Sequence, residues 1–249
     1  MAGHLRSLRA LWRILLVLAQ AIRGWLIITF LFPRWPLERR NARVQRWARD
    51  MLGVLGIPLE VEGQPPAQGP MLLASNHISW LDILVMHAAR HCRFVAKSEV
   101  KHWPLVGTLS TGAGTLYIER ENRRDAMRVV HHMAESLNAG DVVAVFPEGT
   151  TSDGQALLPF HANLIQAAVS SGAPVQPVAL RFIDQASGQD SRGPLYLGDD
   201  TLVGSVWRTL AGPPFKARVR FGNPQFAEDR DRRRWAQDLR AEVDALRRA

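Results

Sequence analysis

The chain has 249 residues, 47% of them hydrophobic and 22% charged, a globular composition that excludes a disordered, collagen-like or fibrous protein. A single cysteine, Cys92, excludes an intramolecular disulfide framework and a Cys-pair zinc site, and fits a reducing compartment. The net charge of +8 is carried by residues 1–50, which hold ten arginines against Glu38 and Asp50, while the remaining 21 basic and 21 acidic side chains balance.

Residues 11–32 form a run of 22 mostly apolar residues, and a helix needs about 20 to cross a hydrocarbon core. Arg13 and Arg23 interrupt it, and a charge near the bilayer centre costs about 2.5–3.5 kcal/mol on insertion scales. Arg6 and Arg9 precede the run and six arginines between Arg34 and Arg49 follow it, so the positive-inside tendency pulls both ends to the cytoplasm. That favours a helix that dips into the membrane over one that crosses it. Residues 37–55 place Val44, Trp47, Ala48, Met51 and Leu55 at helical spacing with arginines around the other face, as expected of an interfacial helix near anionic headgroups. Pro33 and Pro36 separate the two helices. The basic charge is read as membrane-facing, with no nucleic-acid partner, and the run lacks a signal-peptide cleavage site, so it is retained. A helix buried in a soluble core is the alternative.

After Gly56-Ile57-Pro58 short β-like runs alternate with helical stretches, the pattern of an α/β domain. Strands are expected over 59–62, 71–74, 93–96, 115–118, 142–146, 175–182 and 217–221. Helices are expected over 78–90, 122–138, 160–171 and 228–248, the last with Trp235, Leu239, Val243 and Leu246 on one stripe. Residues 184–214 read as a long irregular excursion. The domains are therefore residues 1–56, membrane-associating helices, and 57–249, a single α/β domain with a largely parallel or mixed sheet flanked by helices.

Ser75-Asn76-His77-Ile78-Ser79-Trp80-Leu81-Asp82 follows the apolar strand 71–74. An imidazole beside a carboxylate is a general base: the acid holds one ring nitrogen protonated and leaves the other to take a proton. Five residues along a regular helix rotate the chain by about 500°, leaving two side chains about 140° apart, so His77 must lie on the strand-to-helix turn, with Asn76 or Ser75 as a cap and Asp82 inside the first turns. A surface histidine at a helix start is the competing reading. No G-x-S-x-G elbow, Walker A loop or G-x-G-x-x-G accompanies the pair. His87 and His91, spaced i,i+4, lack surrounding acidic ligands and read as a helix-surface pair before a metal site, and His131 and His132 as structural or exposed.

Gly114-Thr115-Leu116-Tyr117-Ile118-Glu119-Arg120 brings a guanidinium to a strand end, with Arg123 and Arg124 after it, and such forks suit phosphate or carboxylate groups. A solvated charge run explains Arg123 and Arg124 as well. Phe146-Pro147-Glu148-Gly149-Thr150-Thr151-Ser152 then carries a carboxylate, a glycine and three hydroxyls off the strand 142–146, the character of active-site loops in open α/β sheets.

Four ordered blocks resemble the glycerolipid acyltransferase family, in its 1-acylglycerol-3-phosphate acyltransferase-like branch: Asn76-His77-x-Ser79-x-x-Asp82; Lys97 to Pro104, Gly107 and Gly114 to Arg120; Phe146 to Thr150; and Ala173 to Val178. They cover about residues 70–182. The N-terminal two-helix membrane anchor also resembles the family's. The resemblance implies that His77 deprotonates an acceptor hydroxyl, that Asp82 orients it, and that the oxygen attacks the thioester carbonyl of acyl-ACP or acyl-CoA in one displacement. No metal or cofactor is required. It further implies that Glu148, Gly149, Thr150 and Thr151 shape the acceptor site, with Arg120 and Lys97 near its anionic group, and that the partners are a lysolipid acceptor and an anionic bacterial inner membrane, met from its cytoplasmic face.

The first acceptor this implies is 1-acylglycerol-3-phosphate, giving phosphatidic acid. Thr151 departs from the arginine that phosphate-acceptor members usually carry there, and a charge-assisted contact is worth about 1.5–3 kcal/mol. The run Gly149-Thr150-Thr151-Ser152-Asp153-Gly154 is similar to relatives that acylate lyso-ornithine lipid, whose headgroup carries no phosphate. A lipid hydrolase and a non-catalytic membrane-binding scaffold are the alternatives of other classes.

Overall fold

The structure, a computed structural model, describes residues 2–118 and 123–249. In chain order the elements are α1 (Ala2–Phe30), α2 (Leu37–Leu55), β1 (Leu59–Glu62), β2 (Met71–Ser75), α3 (Leu81–Ala89), β3 (Arg93–Lys97), α4 (Val106–Gly112), β4 (Leu116–Ile118), α5 (Arg123–Asn138), β5 (Val142–Val145), α6 (Ala162–Ser171), β6 (Val175–Asp184), α7 (Leu202–Ala211), β7 (Phe215–Phe221) and α8 (Arg232–Arg248). All the expected strands form, as do the four expected helices of the domain. Two elements were not foreseen. The short α4 lies within the second family block, around Gly107, and α7 occupies the stretch expected to be an irregular excursion.

The strands make one mixed sheet of order β1-β7-β6-β2-β5-β3-β4. All neighbours are parallel except β6 and β7, so β1 and β7 run against the other five. Strand periodicity sorts the core into two layers. Met71 and Leu73 of β2, with Val142 and Ala144 of β5, face the cluster containing α2 and α3. Leu72, Ala74, Val143 and Val145 face the opposite cluster, built on α5, α6 and α8. The stripe expected on the last helix is there: Trp235, Leu239 and Val243 are buried in that second layer, with Leu246 packed at its edge.

Topology places the site. From β2 the chain leaves through α3 to β3, passing β5, whereas from β5 it leaves through α6 to β6, passing β2. The connections diverge at the boundary between β2 and β5, where the carboxyl ends of the two strands lie side by side. Such a switch point opens a crevice beyond the strand ends, the usual ligand position in open α/β sheets.

At the N-terminus α1 and α2 form a hairpin. Gly24 lets the helices approach, since a Cβ there would lie 2.7 Å from Trp47 Nε1, and that indole donates to the Gln20 carbonyl at 3.0 Å. The apolar stripe of α2 faces inward: Val44, Ala48, Met51, Leu52 and Leu55 are buried, and the helix packs on α3. This corrects the expectation of an interfacial α2, because a stripe covered by protein is not free to enter lipid. Among the described residues one helix, over residues 7–34, is long and apolar enough to cross a membrane, and little of it is buried. Its Leu8, Leu11, Leu15, Leu18, Ile22 and Leu26 are exposed, and at 100° per residue they share an arc of about 80°. Arg23, Arg9 and Arg13 lie about 100°, 140° and 180° from the centre of that arc, all outside it.

Candidate functional site

His77 lies two residues beyond β2, on an extended turn before α3 begins at Leu81. Its Nδ1 is 2.7 Å from Asp82 Oδ2. Asp82, the second residue of α3 and fully buried, also accepts on Oδ2 from the Ile78 N–H at 2.7 Å and the Ser79 N–H at 2.9 Å. One carboxylate oxygen thus holds the imidazole and the backbone of the turn that carries it. The cap expected at Ser75 or Asn76 is not made. Trp80 is the N-cap residue, without a side-chain bond, and the Leu81 N–H donates instead to Ser79 Oγ at 3.2 Å. Asn76 is fully buried and bridges to β6, donating to the Leu180 carbonyl at 3.0 Å and accepting from the Leu180 N–H at 2.7 Å.

The imidazole is a fifth exposed and stacks on Phe146, with ring centroids 4.0 Å apart and planes 7° from parallel. Phe94 stacks behind Phe146 at 5.5 Å. The ring is therefore clamped by a hydrogen bond in its plane and an aromatic surface on its face. Since the carboxylate only accepts, Nδ1 is the protonated nitrogen of the neutral ring and Nε2 carries the free lone pair.

Glu148 comes from the neighbouring strand end and is 3% exposed. Its Oε1 accepts from the His77 backbone N–H and its Oε2 from the Leu158 N–H, both at 2.8 Å. Burial pushes its carboxyl above the ordinary carboxylate value, against the pull of these bonds and of His77. The loop is tied back by the Ser152 N–H, which donates to the His77 carbonyl at 2.8 Å. Gly149 has φ +73°, and a Cβ there would meet the His161 ring at 2.9 Å, so both backbone and neighbour demand glycine. Thr150 is exposed, and Thr151 donates to the Tyr196 carbonyl at 2.5 Å. Lys97, the exposed last residue of β3, stands at the same end of the sheet beyond β5. Arg120 lies outside the described residues.

Sequence reading missed two partners of the turn. The ring contact of Phe146 has no periodicity to betray it. The other is the segment after β6: Ser79 Oγ donates to the Pro194 carbonyl at 2.5 Å, the Tyr196 N–H to the Ile78 carbonyl at 3.2 Å, and Trp80 Nε1 to Ser205 Oγ at 3.1 Å.

The other histidines separate from this site. His131 and His132 are exposed and both reach Glu135. His87 and His91 are buried, 6% exposed each, which corrects the helix-surface reading. Burial lowers their pKa values to about 3 and about 4. No group of three metal-ligating side chains is found among the described residues. A cavity of about 430 Å³ lies against residues of β6 and β7 and the turn after β6, with Arg181, Lys216 and Arg218 in its lining, but these cations already pair with Asp190 and Glu60, and no histidine lines it.

A buried carboxylate beside an oriented imidazole with one free nitrogen can act as a general base. The family model Acyltransferase matches residues 58–181. Over 186 residues the chain is 41% identical to a 1-acyl-sn-glycerol-3-phosphate acyltransferase of Neisseria meningitidis serogroup B, covering 74% of this chain and 72% of that one. The chain belongs to the acyltransferase family. It is an acyltransferase whose matched region contains His77, Asp82 and Glu148. It is also 34% identical over 241 residues to a lyso-ornithine lipid O-acyltransferase of Pseudomonas aeruginosa, covering 96% of this chain and 91% of that one. The crystal structure of the 1-acyl-sn-glycerophosphate (LPA) acyltransferase PlsC from Thermotoga maritima shares the fold, with a TM-score of 0.71, 20% identity, and coverage of 99% and 98%.

Proposed function

We propose that this acyltransferase works at the cytoplasmic face of a bacterial inner membrane, moving a fatty acyl chain from acyl-ACP or acyl-CoA to the hydroxyl of a lysolipid. The observation that carries the reading is the His77–Asp82 pair at the β2/β5 switch point. His77 Nε2 takes the proton of the acceptor hydroxyl as its oxygen attacks the thioester carbonyl carbon. The new C–O bond forms, the C–S bond breaks, and the thiolate leaves with the proton held by the imidazolium. Asp82 fixes the tautomer and stabilises the imidazolium charge. Lys97 and Arg120 are assigned to the anionic end of the acceptor, and Gly149, Thr150 and Thr151 to its wall.

Residues 1–56 are assigned as the membrane-associating segment, attached through α1. Its exposed apolar arc runs along a helix that rests lengthwise on α2, α4 and α7. A helix bound along the domain supports an in-plane attachment rather than a crossing.

The first acceptor is 1-acylglycerol-3-phosphate, on the strength of the N. meningitidis relative. Lyso-ornithine lipid is the second, favoured by Thr151, whose hydroxyl is engaged by Tyr196, and by the near full-length match to the P. aeruginosa relative. The test offers both acceptors with both thioesters to the purified protein in vesicles. Ester product is expected from a lysolipid in the wild type and none from His77→Ala, which still binds vesicles. Unchanged turnover by His77→Ala would overturn the mechanism, and free fatty acid released without acceptor would mark a hydrolase. Thr151→Arg is expected to raise the phosphate-to-ornithine activity ratio, and an unchanged ratio removes Thr151 from acceptor choice.

A further inference from the structure

We propose that the outer face of α7 is a second bilayer contact, which seats the His77 turn at the lipid surface; this rests on the reading of α1 as the first contact. Helix α7 is apolar outside as well as inside, unusual for a helix on a water-soluble domain: Leu210 is buried in the core with Val206 and Ala211 against it. Its inward positions include Ser205 and Thr209, 0% and 6% exposed, whereas Val203, Trp207 and Leu202 point outward at 80%, 39% and 38%. The orientation is held by specific bonds. Thr201 caps the helix by accepting from the Gly204 N–H, and Ser205 Oγ accepts from Trp80 Nε1. Rolling the helix to hide Val203 would break the Trp80 contact.

What covers this face is argued from its neighbour. Helix α1 packs on α7, and Ala10, Ile14 and Val17 of α1 join one core cluster with Val206, Leu210 and Ala211 of α7. The apolar outer face of α7 therefore flanks the exposed apolar arc of α1, and a surface that accepts one meets the other. A tryptophan beside aliphatic side chains suits the boundary between headgroups and acyl chains. The exposed Arg9 and Arg23 of α1, in a strongly basic N-terminal segment, complement anionic lipid.

The contact has a consequence for catalysis. Through Trp80–Ser205, Ser79–Pro194, Ile78–Tyr196 and Thr151–Tyr196, residues 194–205 bond directly to the turn bearing His77 and to the acceptor loop. A bilayer that holds α7 thereby holds the rim of the crevice, so an acceptor leaving the membrane enters beside Nε2.

The test labels Val203→Cys with a polarity-sensitive maleimide dye, alongside Leu15→Cys on α1 and Ser187→Cys on an exposed turn. Cys92 stays unlabelled because its thiol is fully buried. With vesicles of phosphatidylethanolamine and phosphatidylglycerol, blue-shifted and brighter emission is expected at 203 and 15 and none at 187. A shift at 15 without one at 203 overturns the proposal and leaves α1 standing. No shift at either, with protein left in the supernatant, overturns both. A shift at 203 that follows protein concentration without vesicles assigns the face to a second copy and also overturns it. In Val203→Asp/Trp207→Ser, KM for a vesicle-embedded lysolipid is expected to rise about fivefold, with turnover of a short-chain soluble lysolipid unchanged. An unchanged KM rejects the contact, whereas loss of transfer to every acceptor by the unmutated protein sinks the acyltransferase reading alone.

Discussion

The Glu148 carboxylate is engaged by backbone within the described residues. Both oxygens accept backbone N–H groups, one from His77 and one from Leu158, so the side chain joins the turn after β2 to the loop after β5. The resemblance assigns it to the acceptor wall, and the geometry supports a positioning role. Glu148→Gln keeps one accepting oxygen but aims an amide donor at the second N–H, and an unsatisfied buried donor costs about 1–3 kcal/mol. The expected outcome is a loss of that much stability in urea unfolding and a fall in kcat of at least about tenfold, since small misplacements of a base are costly. KM for the acceptor is expected to stay within about twofold, because uniform binding is untouched. A raised KM with normal kcat would return Glu148 to acceptor binding.

For helices and strands, legibility in the sequence followed how local the cause is. The runs Met71–Ser75 and Val142–Val145 are buried on both faces and read as apolar blocks, and the α8 stripe repeats at helical spacing. The α7 helix was hidden because Ser205 and Thr209 share its inner face with Leu210 while Leu202, Val203 and Trp207 are exposed, so apolarity does not distinguish inside from outside. For α2 the stripe was read correctly but its partner was not, since a sequence does not say whether protein or lipid covers an apolar face. The His77–Asp82 contact was legible because helix geometry left one arrangement that closes it. The stacking of Phe146 on His77 was not, because it depends on which strands are neighbours.

The same reasoning explains how α1 tolerates its arginines. Counted along the chain, Arg13 and Arg23 interrupt an apolar run; projected down the axis they and Arg9 all lie outside the exposed arc, Arg13 on the far side of the helix. Leu15→Glu/Ile22→Glu places two charges inside the arc and is expected to reduce co-sedimentation with anionic vesicles by about tenfold or more. Arg9→Gln/Arg23→Gln is expected to cost much less, about threefold, and only at low salt. Equal losses from the two pairs would show that charge, not the arc, makes the attachment.

Taken as a whole, the molecule keeps ionisable groups in its interior away from the His77–Asp82 pair, and they bear on its response to acid. His87 is buried, its Nδ1 has no hydrogen-bond partner, and its ring lies 5.5 Å from that of His91. Burial lowers the two pKa values to about 3 and about 4 from 6.5, His87 being depressed further by its neighbour. The unfolded chain therefore binds more protons than the folded one throughout the interval between those values and 6.5. Stability is full above pH 6.5 and declines as pH falls, by up to about 1.4 kcal/mol per pH unit for each histidine. The carboxyls of Glu148 and Glu242, both raised by burial, act in the opposite sense and favour the folded state in acid. Urea midpoints are expected to fall between pH 7 and pH 5 in the wild type and to fall about half as far in His87→Leu, whose apolar side chain has nothing to protonate. An identical pH slope in the variant would mean that His87 is not among the groups that set acid sensitivity.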